Sequence, residues 1–238
     1  MGLQPVREAI KRHRSALQEV LIDERASPKL EALARFASDQ AVARITHVPR
    51  AELDQLAHGV AHQGAAARAP DLVLTSLVEL GDDPTLLGLA LDSLQDPQNF
   101  GAVVRSAVAL GGAAIIWGEH SSAPLTPSTF RASAGAIEHA RLCKVKSLHD
   151  ALAGFAERAV QVVGLDPVAP QRLAQLDLTL PTVLVLGGEG EGLSRAVRRS
   201  CTTLAALGGL ASIDSLNASV AAGIALYEAL RQRTKSTT

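Results

Sequence analysis

The second half of the chain alternates between short apolar runs and longer amphipathic segments. The apolar runs predict buried strands at Leu86–Leu91, Ala113–Trp117, Ala140–Val145, Val160–Val163, Thr182–Leu186 and Thr203–Leu207. Apolar residues recur at helical spacing between several of these runs, and a last helix is predicted over Ser219–Gln232. This alternation predicts an α/β fold with a mostly parallel sheet covered by helices on both faces.

The first part of the chain contains shorter segments of the same two kinds. The pattern predicts helices at Val6–Arg14 and Arg50–Ala57 and strands at Ala16–Ile22 and Val42–Val48. Ser27 and Pro28 have the residue types of an N-cap and a first helical position, so another helix is predicted to begin there. The turn-forming residues 81–84 predict a boundary between a domain over 1–80 and a domain over 85–238.

Composition restricts the classes of function. The 238 residues carry a formal net charge of −1, so any binding of nucleic acid would depend on local basic patches. Lys11, Arg12 and Arg14 form the best local patch, which is either a solvated helix face or a contact to an RNA backbone. No apolar run approaches the roughly 20 residues that span a bilayer, and the start lacks an apolar signal core, so a cytoplasmic location is predicted.

Metal binding is not predicted. The two cysteines, Cys143 and Cys201, lack the spacing of a metal site. His58 and His62 are four residues apart, but Gly59 and Gly64 argue against a metal-binding helix there.

Three loops before predicted helices have residues that could carry chemistry. The first contains Asn99 and Arg105, six residues apart. Asn99 stands where an N-cap belongs, and Arg105 lies off the apolar stripe of the helix, so capping and a solvated position account for both without any function. The last, Ile213–Ser219, has the composition of a helix cap as well.

The second loop has four glycines in six residues, Gly187–Gly192. No Lys-Ser/Thr pair follows, and Leu193 stands where a dinucleotide fingerprint has its third glycine, so neither phosphate-binding motif is present. Glu189 and Glu191 would also repel a pyrophosphate. A phosphate-free, positively charged cofactor such as S-adenosylmethionine avoids this repulsion. The alternative is a simple turn, but so many glycines favour close approach of a ligand to the backbone.

In this order, the three loops resemble the three motifs of the SpoU (TrmH-like) branch of the SPOUT methyltransferases. The family pattern has Asn and Arg six residues apart, then G-x-E-G-x-G, then S-L-N-x-S at the last helix. Its counterparts here are Asn99 with Arg105, Gly187–Gly192 and Ser215–Ser219. The first part resembles the L30e-like substrate-binding domain of bacterial 23S rRNA guanosine 2'-O-methyltransferases, through Val6–Ile10, Val48–Leu53 and His62–Gly64. Its usual Gly-x-His is here Gly2-Leu3-Gln4.

The resemblance implies a trefoil-knotted SPOUT domain with a mostly parallel sheet, preceded by a small L30e-like α/β domain. It implies a homodimer with the active site at the subunit interface. It also implies that S-adenosylmethionine is held largely by loop backbone, and the residues carried over are Leu165, Leu186, Gly187, Gly188, Leu207, Ser215 and Leu216.

The implied reaction is methylation of a ribose 2'-hydroxyl in RNA, with 23S rRNA the favoured substrate and tRNA the second. Arg105 corresponds to the arginine that is held to activate the 2'-hydroxyl in the family. A guanidinium, with a pKa above about 12, is a poor base, so we expect Arg105 to stabilise the forming alkoxide and hold the neighbouring phosphate. Asn99, Glu189 and Asn217 are expected to orient Arg105 and the ribose.

One stretch departs from the family. Where the family has Ile-Pro-Met-x-Gly, this chain has Leu207–Ala211 without proline. Losing the proline increases the entropy lost when the loop is ordered, which predicts weaker cofactor binding. This departure supports the alternative of a non-catalytic RNA-binding protein. A dinucleotide-dependent oxidoreductase also fits the α/β pattern but lacks the glycine fingerprint.

Overall fold

A computed structural model describes residues 1–25, 27–119, 125–188, 190, 192–208 and 216–235. The chain forms two compact units. One unit is Met1–Leu72 with Leu125–His139, and the other is Val73–Pro124 with Ala140–Thr238. The segment 125–139 therefore packs with the first unit although it follows a strand of the second. The domain boundary between 80 and 85 stays a prediction.

The helices and strands alternate along most of the chain. The helices are α1 (Leu3–His13), α2 (Pro28–Asp39), α3 (Arg50–Ala57), α4 (Leu77–Gly81), α5 (Pro97–Ala109), α6 (Pro127–Ala132), α7 (Leu148–Glu157), α8 (Arg195–Ser200) and α9 (Ala218–Lys235). The strands are β1 (Glu19–Asp23), β2 (Ile45–Val48), β3 (Ala65–Arg68), β4 (Leu87–Leu91), β5 (Ala114–Gly118), β6 (Leu142–Val145), β7 (Gln161–Leu165), β8 (Thr182–Leu186) and β9 (Thr203–Ala205).

The first unit contains a three-stranded sheet in the order β2-β1-β3. Strand β1 is parallel to β2 and antiparallel to β3. The predicted start of α2 is confirmed, because the Ser27 Oγ accepts a hydrogen bond of 3.3 Å from the Leu30 amide and Pro28 is the first helical residue. Strand β3 was not predicted, since its sequence Ala-Ala-Ala-Arg lacks the β-branched and aromatic residues that are typical of strands.

The second unit contains a six-stranded, fully parallel sheet in the order β6-β5-β4-β8-β7-β9. Every residue of the three central strands β5, β4 and β8 is buried, which explains why these strands are continuous apolar runs. The predicted mostly parallel sheet is thus confirmed. The bounds of β8 agree with the prediction, whereas β9 ends two residues earlier than predicted.

The order of the strands places the motif loops at one edge of this sheet. The chain runs outward from β4 through β5 to β6, and then builds the other half with β7, β8 and β9. The order therefore reverses between the neighbours β4 and β8. In open parallel sheets, ligands bind at the carboxyl ends of the strands where the order reverses.

Helix α5 follows β4 and packs against α9. The predicted buried stripe is largely confirmed, with Phe100, Val103, Val104 and Ala107 fully buried. Phe100 also meets Trp117 of β5 edge to face, with the ring centroids 5.5 Å apart. Among the described helices, none is long and apolar enough to cross a membrane.

The amino end of the six-stranded sheet is tied to α9 by one side chain. The Arg233 guanidinium donates hydrogen bonds of 2.8–2.9 Å to four backbone carbonyl oxygens, those of Thr85, Leu86, Leu178 and Leu180. Burial lowers the pKa of Arg233, but the carbonyl oxygens satisfy its donors. This contact holds the last helix against the loops that precede β4 and β8.

Candidate functional site

The first motif loop connects β4 to α5, and its N-cap is Asp96. The two carboxylate oxygens of Asp96 accept hydrogen bonds from the amides of Gln98 (3.0 Å) and Asn99 (3.3 Å), and Pro97 is the first helical residue. The interpretation of Asn99 as the cap is therefore wrong. Asp96 caps α5, and the Asn99 side chain makes a different contact.

Asn217 of the third motif loop makes that contact. Its Nδ2 donates a hydrogen bond of 3.1 Å to Asn99 Oδ1, across 118 residues of sequence. Its Oδ1 accepts hydrogen bonds from the amide (2.9 Å) and the hydroxyl (2.6 Å) of Ser219, and its carbonyl oxygen accepts from the Ala221 amide. Asn217 thus caps α9 and joins the third loop to the first with the same side chain.

The glycine loop packs against the backbone of the first loop. A Cβ atom on Gly188 would lie 2.8 Å from the Ser93 carbonyl oxygen, closer than real Cβ contacts come. A Cβ on Gly187 would overlap the backbone of Gly192. Gly192 has a φ of +67° and donates a hydrogen bond of 3.3 Å to the Gly188 carbonyl oxygen. Glycine is required here by close backbone approach and by a left-handed conformation.

The other described residues predicted to hold the cofactor lie at the same edge of the sheet. Leu186 is the last residue of β8 and is buried, and Leu165 is the last residue of β7. Leu207 follows β9 by two residues and is half-buried, and Leu216 precedes Asn217 with 51% of its surface exposed. Leu165, Leu186 and Leu207 thus lie at the carboxyl ends of adjacent strands, and the cofactor contacts of all four leucines stay a prediction.

Two of the predicted site residues, Glu189 and Ser215, lie outside the described residues. The same holds for residues 209–211 of the stretch that departs from the family. Of that stretch, Leu207 and Gly208 are described, and Gly208 has a φ of +87°.

Arg105 lies on α5, eight residues after its first residue, which corresponds to about 12 Å along the helix axis. It is exposed, as the sequence pattern predicts. In the described part of the chain, no ion pair or side-chain hydrogen bond involves Arg105. Its guanidinium can therefore bind an oxygen anion without first breaking an ion pair with a described carboxylate.

Asp92 is a site residue that sequence reasoning missed. It follows β4 directly and only 4% of its surface is exposed. Its carboxylate accepts hydrogen bonds from the Ser194 amide (2.7 Å) and from the Ser93 hydroxyl (3.3 Å). The available signal was an acidic residue at the end of a wholly apolar strand, next to the point where strand order reverses.

Cys201 lies near this carboxylate, and its environment does not favour the thiolate. Burial raises its pKa to about 11, Arg198 opposes this shift and Asp92 adds to it. The thiol is therefore neutral near pH 7, and a neutral thiol is unreactive. Arg198 itself forms an ion pair with Asp166, a buried carboxylate that follows β7.

The predicted basic patch of the first unit lies at the end of α1. Lys11 forms an ion pair of 2.8 Å with Glu8, one turn earlier on the same helix. Arg12 and Arg14 are exposed and have no ion pair with any described residue. Binding of RNA by this patch stays a prediction.

His58 and His62 of the same unit lie after α3. His58 ends the helix in a left-handed conformation. His62 is buried, its Nε2 lies 2.9 Å from Asp54 Oδ1 and its Nδ1 accepts a hydrogen bond from the Gly64 amide. Both ring nitrogens of His62 therefore serve the fold. The described residues include no group of three His, Cys, Asp or Glu side chains that could hold a metal ion.

Two protein families match this chain. The SpoU rRNA Methylase family matches residues 87–227, and a family described as RNA 2'-O ribose methyltransferase substrate binding matches residues 1–72. The matches cover the two regions in which the sequence resembles that family.

Similar proteins and structures have matching names. An uncharacterized tRNA/rRNA methyltransferase of Mycobacterium tuberculosis is 38% identical over 243 residues, covering 98% of this chain and 74% of the relative. One of Mycolicibacterium smegmatis is 36% identical over 242 residues, covering 98% and 76%. The crystal structure of the SpoU methyltransferase AviRb from Streptomyces viridochromogenes, in complex with AdoMet, has a TM-score of 0.78 at 27% identity and covers 99% of this chain and 90% of that one. The crystal structure of an RNA 2'-O ribose methyltransferase has a TM-score of 0.79 at 28% identity and covers 98% of this chain and 87% of that one.

Proposed function

The chain belongs to the SpoU rRNA Methylase family, and from this membership we propose that it methylates a ribose 2'-hydroxyl of RNA with S-adenosylmethionine as the methyl donor. The favoured substrate is 23S rRNA, with tRNA as the second candidate. The observation that carries the proposal is the hydrogen bond between Asn99 and Asn217, which joins the first and third motif loops.

The residues at the carboxyl ends of β7, β8 and β9 fit this cofactor. Gly187 and Gly188 leave no room for a side chain, so a ligand at this loop meets backbone groups. The neighbouring candidates are leucines, which suit an adenosine ring. The residues that would hold S-adenosylmethionine are Leu165, Leu186, Gly187, Gly188, Leu207, Ser215 and Leu216. When bound, this cofactor supplies a methyl group on a cationic sulfur that is a good leaving group.

The chain contributes orientation and charge to the reaction. Arg105 binds the 2'-oxygen as the hydroxyl proton passes to solvent and negative charge develops on the oxygen, and it holds the neighbouring phosphate. Asn99 and Asn217, each fixed by the other and by helix ends, orient Arg105 and the ribose together with Glu189. Positioning of this kind supplies a large part of the rate in a transfer between two bound molecules.

A second copy of the chain completes the proposed active site. Leu216, Val220, Ile224 and Tyr227 are 44–58% exposed and recur at helical spacing before and along α9. An apolar stripe of this kind, next to Asn217, is suited to an interface between copies of this chain.

Ile224→Asp is expected to convert a dimer into monomers in sedimentation velocity measurements. A wild-type chain that sediments as a monomer would contradict the dimer.

The first unit is proposed to bind RNA through Lys11, Arg12 and Arg14, which would make the affinity decrease with salt. The reaction would take place in the cytoplasm, as the sequence predicts. The L30e-like character of this unit and the knotted path of the catalytic domain belong to the same proposal.

One sequence feature favours a second candidate function. The absence of proline from Leu207–Ala211 is compatible with a non-catalytic RNA-binding protein on the same fold. Titration calorimetry separates the two candidates, because an enzyme of this kind binds S-adenosylmethionine and a non-catalytic protein need not.

The proposed reaction is tested with cofactor labelled on its methyl group. The purified chain is incubated with unmodified rRNA or tRNA, and the labelled RNA is then hydrolysed in alkali. A 2'-O-methyl group blocks alkaline cleavage at its own nucleotide, so the label is expected in alkali-resistant dinucleotides. Arg105→Ala is the matched inactive variant. Label in mononucleotides would indicate base methylation and contradict the proposal, as would equal transfer by the variant.

A further inference from the structure

The Asp92 carboxylate is held at the end of β4 in a position that burial makes costly. With 4% of the residue exposed, a carboxylate needs hydrogen bonds to remain there. It accepts one of 2.7 Å from the Ser194 amide and one of 3.3 Å from the Ser93 hydroxyl. Hydrogen bonds to a charged acceptor are stronger than those between neutral groups.

The partners of Asp92 lie on both sides of the glycine loop. Its own backbone amide donates a hydrogen bond of 2.8 Å to the carbonyl oxygen of Leu186, the residue before Gly187. Its side chain accepts from Ser194, the residue that begins α8 after Leu193. One residue of the first loop therefore binds the segment 187–193 at its beginning and at its end.

We propose that Asp92 is a positioning residue that clamps both ends of segment 187–193 and thereby holds the backbone to which S-adenosylmethionine binds. The inference rests on the proposed function, because it assigns the glycine loop to the cofactor. Asp92 acts through the loop and is not a catalytic residue.

The composition of the loop explains why a clamp is needed. Glycines lose more conformational freedom on ordering than other residues, so the four glycines of this loop raise the entropic cost of fixing its backbone in one conformation. Fixing both ends removes part of that entropy before the cofactor binds, which increases affinity through preorganisation. Loss of the buried acceptor is expected to weaken cofactor binding about 10- to 100-fold.

The clamp itself is tested in the cofactor-free full chain by hydrogen exchange of single amides. The Ser194 amide is expected to exchange slowly, whereas the amides of Arg195 and Ala196 at the same helix end make no hydrogen bond to any described residue and should exchange fast. In Asp92→Ala, exchange at Ser194 should accelerate about 10-fold or more. Equal exchange of the three amides in the wild type would overturn the clamp even if the variant fails to fold.

The effect on the cofactor is tested by calorimetry and by steady-state kinetics. Asp92→Ala should raise the Kd and the KM for S-adenosylmethionine about 10- to 100-fold and leave the KM for RNA unchanged. Asp92→Asn should restore most of the affinity, since its Oδ1 can accept from Ser194 and its Nδ2 can donate to the Ser93 hydroxyl. A general loss of structure would not raise the KM for S-adenosylmethionine while leaving the KM for RNA unchanged.

Asp23 provides a matched control. It is 3% exposed, ends strand β1 of the other unit and accepts a hydrogen bond of 3.0 Å from the Arg25 amide. Asp23→Ala should leave the exchange at Ser194 and the affinity for S-adenosylmethionine unchanged. An equal loss of affinity in both variants would overturn the inference.

The measurement of hydrogen exchange at Ser194 and the measurement of cofactor affinity together separate this inference from the proposed function. Faster exchange at Ser194 in Asp92→Ala with unchanged cofactor affinity would overturn the positioning role and leave the function intact. A wild-type chain that binds no S-adenosylmethionine would refute the proposed function and, with it, the assignment of Asp92 to cofactor binding. The exchange at Ser194 would then still decide whether the clamp exists.

Discussion

The two ends of the six-stranded sheet are stabilised in different ways. At the carboxyl end, loops meet by close backbone approach, as where Gly188 packs on the Ser93 carbonyl oxygen. At the amino end, long side chains fix the loops, with Arg233 bound to four carbonyl oxygens and Arg141 paired with Asp83 at 2.9 Å. Glycine leaves backbone groups accessible to a ligand, whereas a guanidinium occupies them.

This difference separates stability from function along one sheet. Substitutions at the amino end should lower the free energy of unfolding and spare cofactor binding in the folded chain. Substitutions at the carboxyl end should mainly affect cofactor binding or turnover, with smaller effects on the free energy of unfolding.

Arg105→Ala should lower the turnover number roughly 100- to 1,000-fold, because it removes the positive charge that faces the developing alkoxide. The Kd for S-adenosylmethionine and the midpoint of thermal unfolding should not change, since Arg105 is exposed. Arg105→Lys keeps the charge but not the planar fork, so it should recover only a small part of the rate. Full activity of Arg105→Ala in methyl transfer would remove this residue from the mechanism.

Gly188→Ala should weaken S-adenosylmethionine binding about 100-fold, because its Cβ would meet the Ser93 carbonyl oxygen at 2.8 Å and the loop must shift. Titration calorimetry measures the affinity. Gly154→Ala is the control, since no heavy atom lies within 4 Å of its Cβ position on helix α7. That change should stabilise the chain by about 0.5–1 kcal/mol and leave the affinity unchanged. Equal affinities of the two variants would contradict the predicted role of Gly188.

Arg233→Ala should lower the free energy of unfolding by about 2–3 kcal/mol, because four carbonyl oxygens lose a charged donor. Urea titration measures this change, and cofactor affinity should remain that of the wild type. Arg158→Ala is the matched control, since the pair of Arg158 with Asp82 is exposed and is expected to contribute less than about 1 kcal/mol. A weaker effect at Arg233 than at Arg158 would show that the amino end is not anchored by this residue.

Asn217→Ala should lower stability by about 1 kcal/mol through the lost cap of α9, and should also reduce turnover. Asn217→Ser separates the two effects, because serine can cap the helix but is too short to reach Asn99 as Asn217 does. Urea unfolding and methyl transfer of both variants measure them. If Asn217→Ser kept full turnover, the contact with Asn99 would have no role in the reaction.

The amino end should show a small dependence of stability on pH at Asp83. Hydrogen bonds from the Thr85 hydroxyl and amide and from Arg141 lower the pKa of Asp83. A lowered pKa contributes stability above the unfolded value near about 4, and this contribution is lost as the pH falls through the folded value. Asp83→Asn should therefore reduce the difference in unfolding free energy between pH 7 and pH 3 by a measurable amount of up to about 1 kcal/mol. The same difference between pH 7 and pH 3 in Asp83→Asn and in the wild type would contradict this role of Asp83.

The sequence predicted the elements of the sheet well and the contacts between loops less well. Thr182–Leu186 was predicted with its observed bounds because a wholly apolar run before glycines has few alternatives. The N-cap at Asn99 was wrong because Asp96-Pro97, three residues earlier, is a stronger start signal. The local pattern contains both signals, so this error was avoidable.

Other features depend on contacts that no local pattern contains. The hydrogen bond between Asn99 and Asn217 joins residues 118 apart, and only the resemblance of the motifs suggested that these loops meet. The packing of segment 125–139 with the first unit is likewise a tertiary contact, in which Glu138 lies 2.9 Å from His13. Asp92 was missed because its partners, Leu186 and Ser194, follow it by about a hundred residues.

A crystal structure of the chain with S-adenosylmethionine bound tests the proposed site most directly. The cofactor should contact the backbone of Leu186–Gly188, Leu207 and Leu216 at the carboxyl end of the sheet, with Arg105 of one subunit beside its methyl group. A cofactor bound at the amino end near Arg233, or at the carboxyl end with both copies of Arg105 remote from the methyl group, would contradict it.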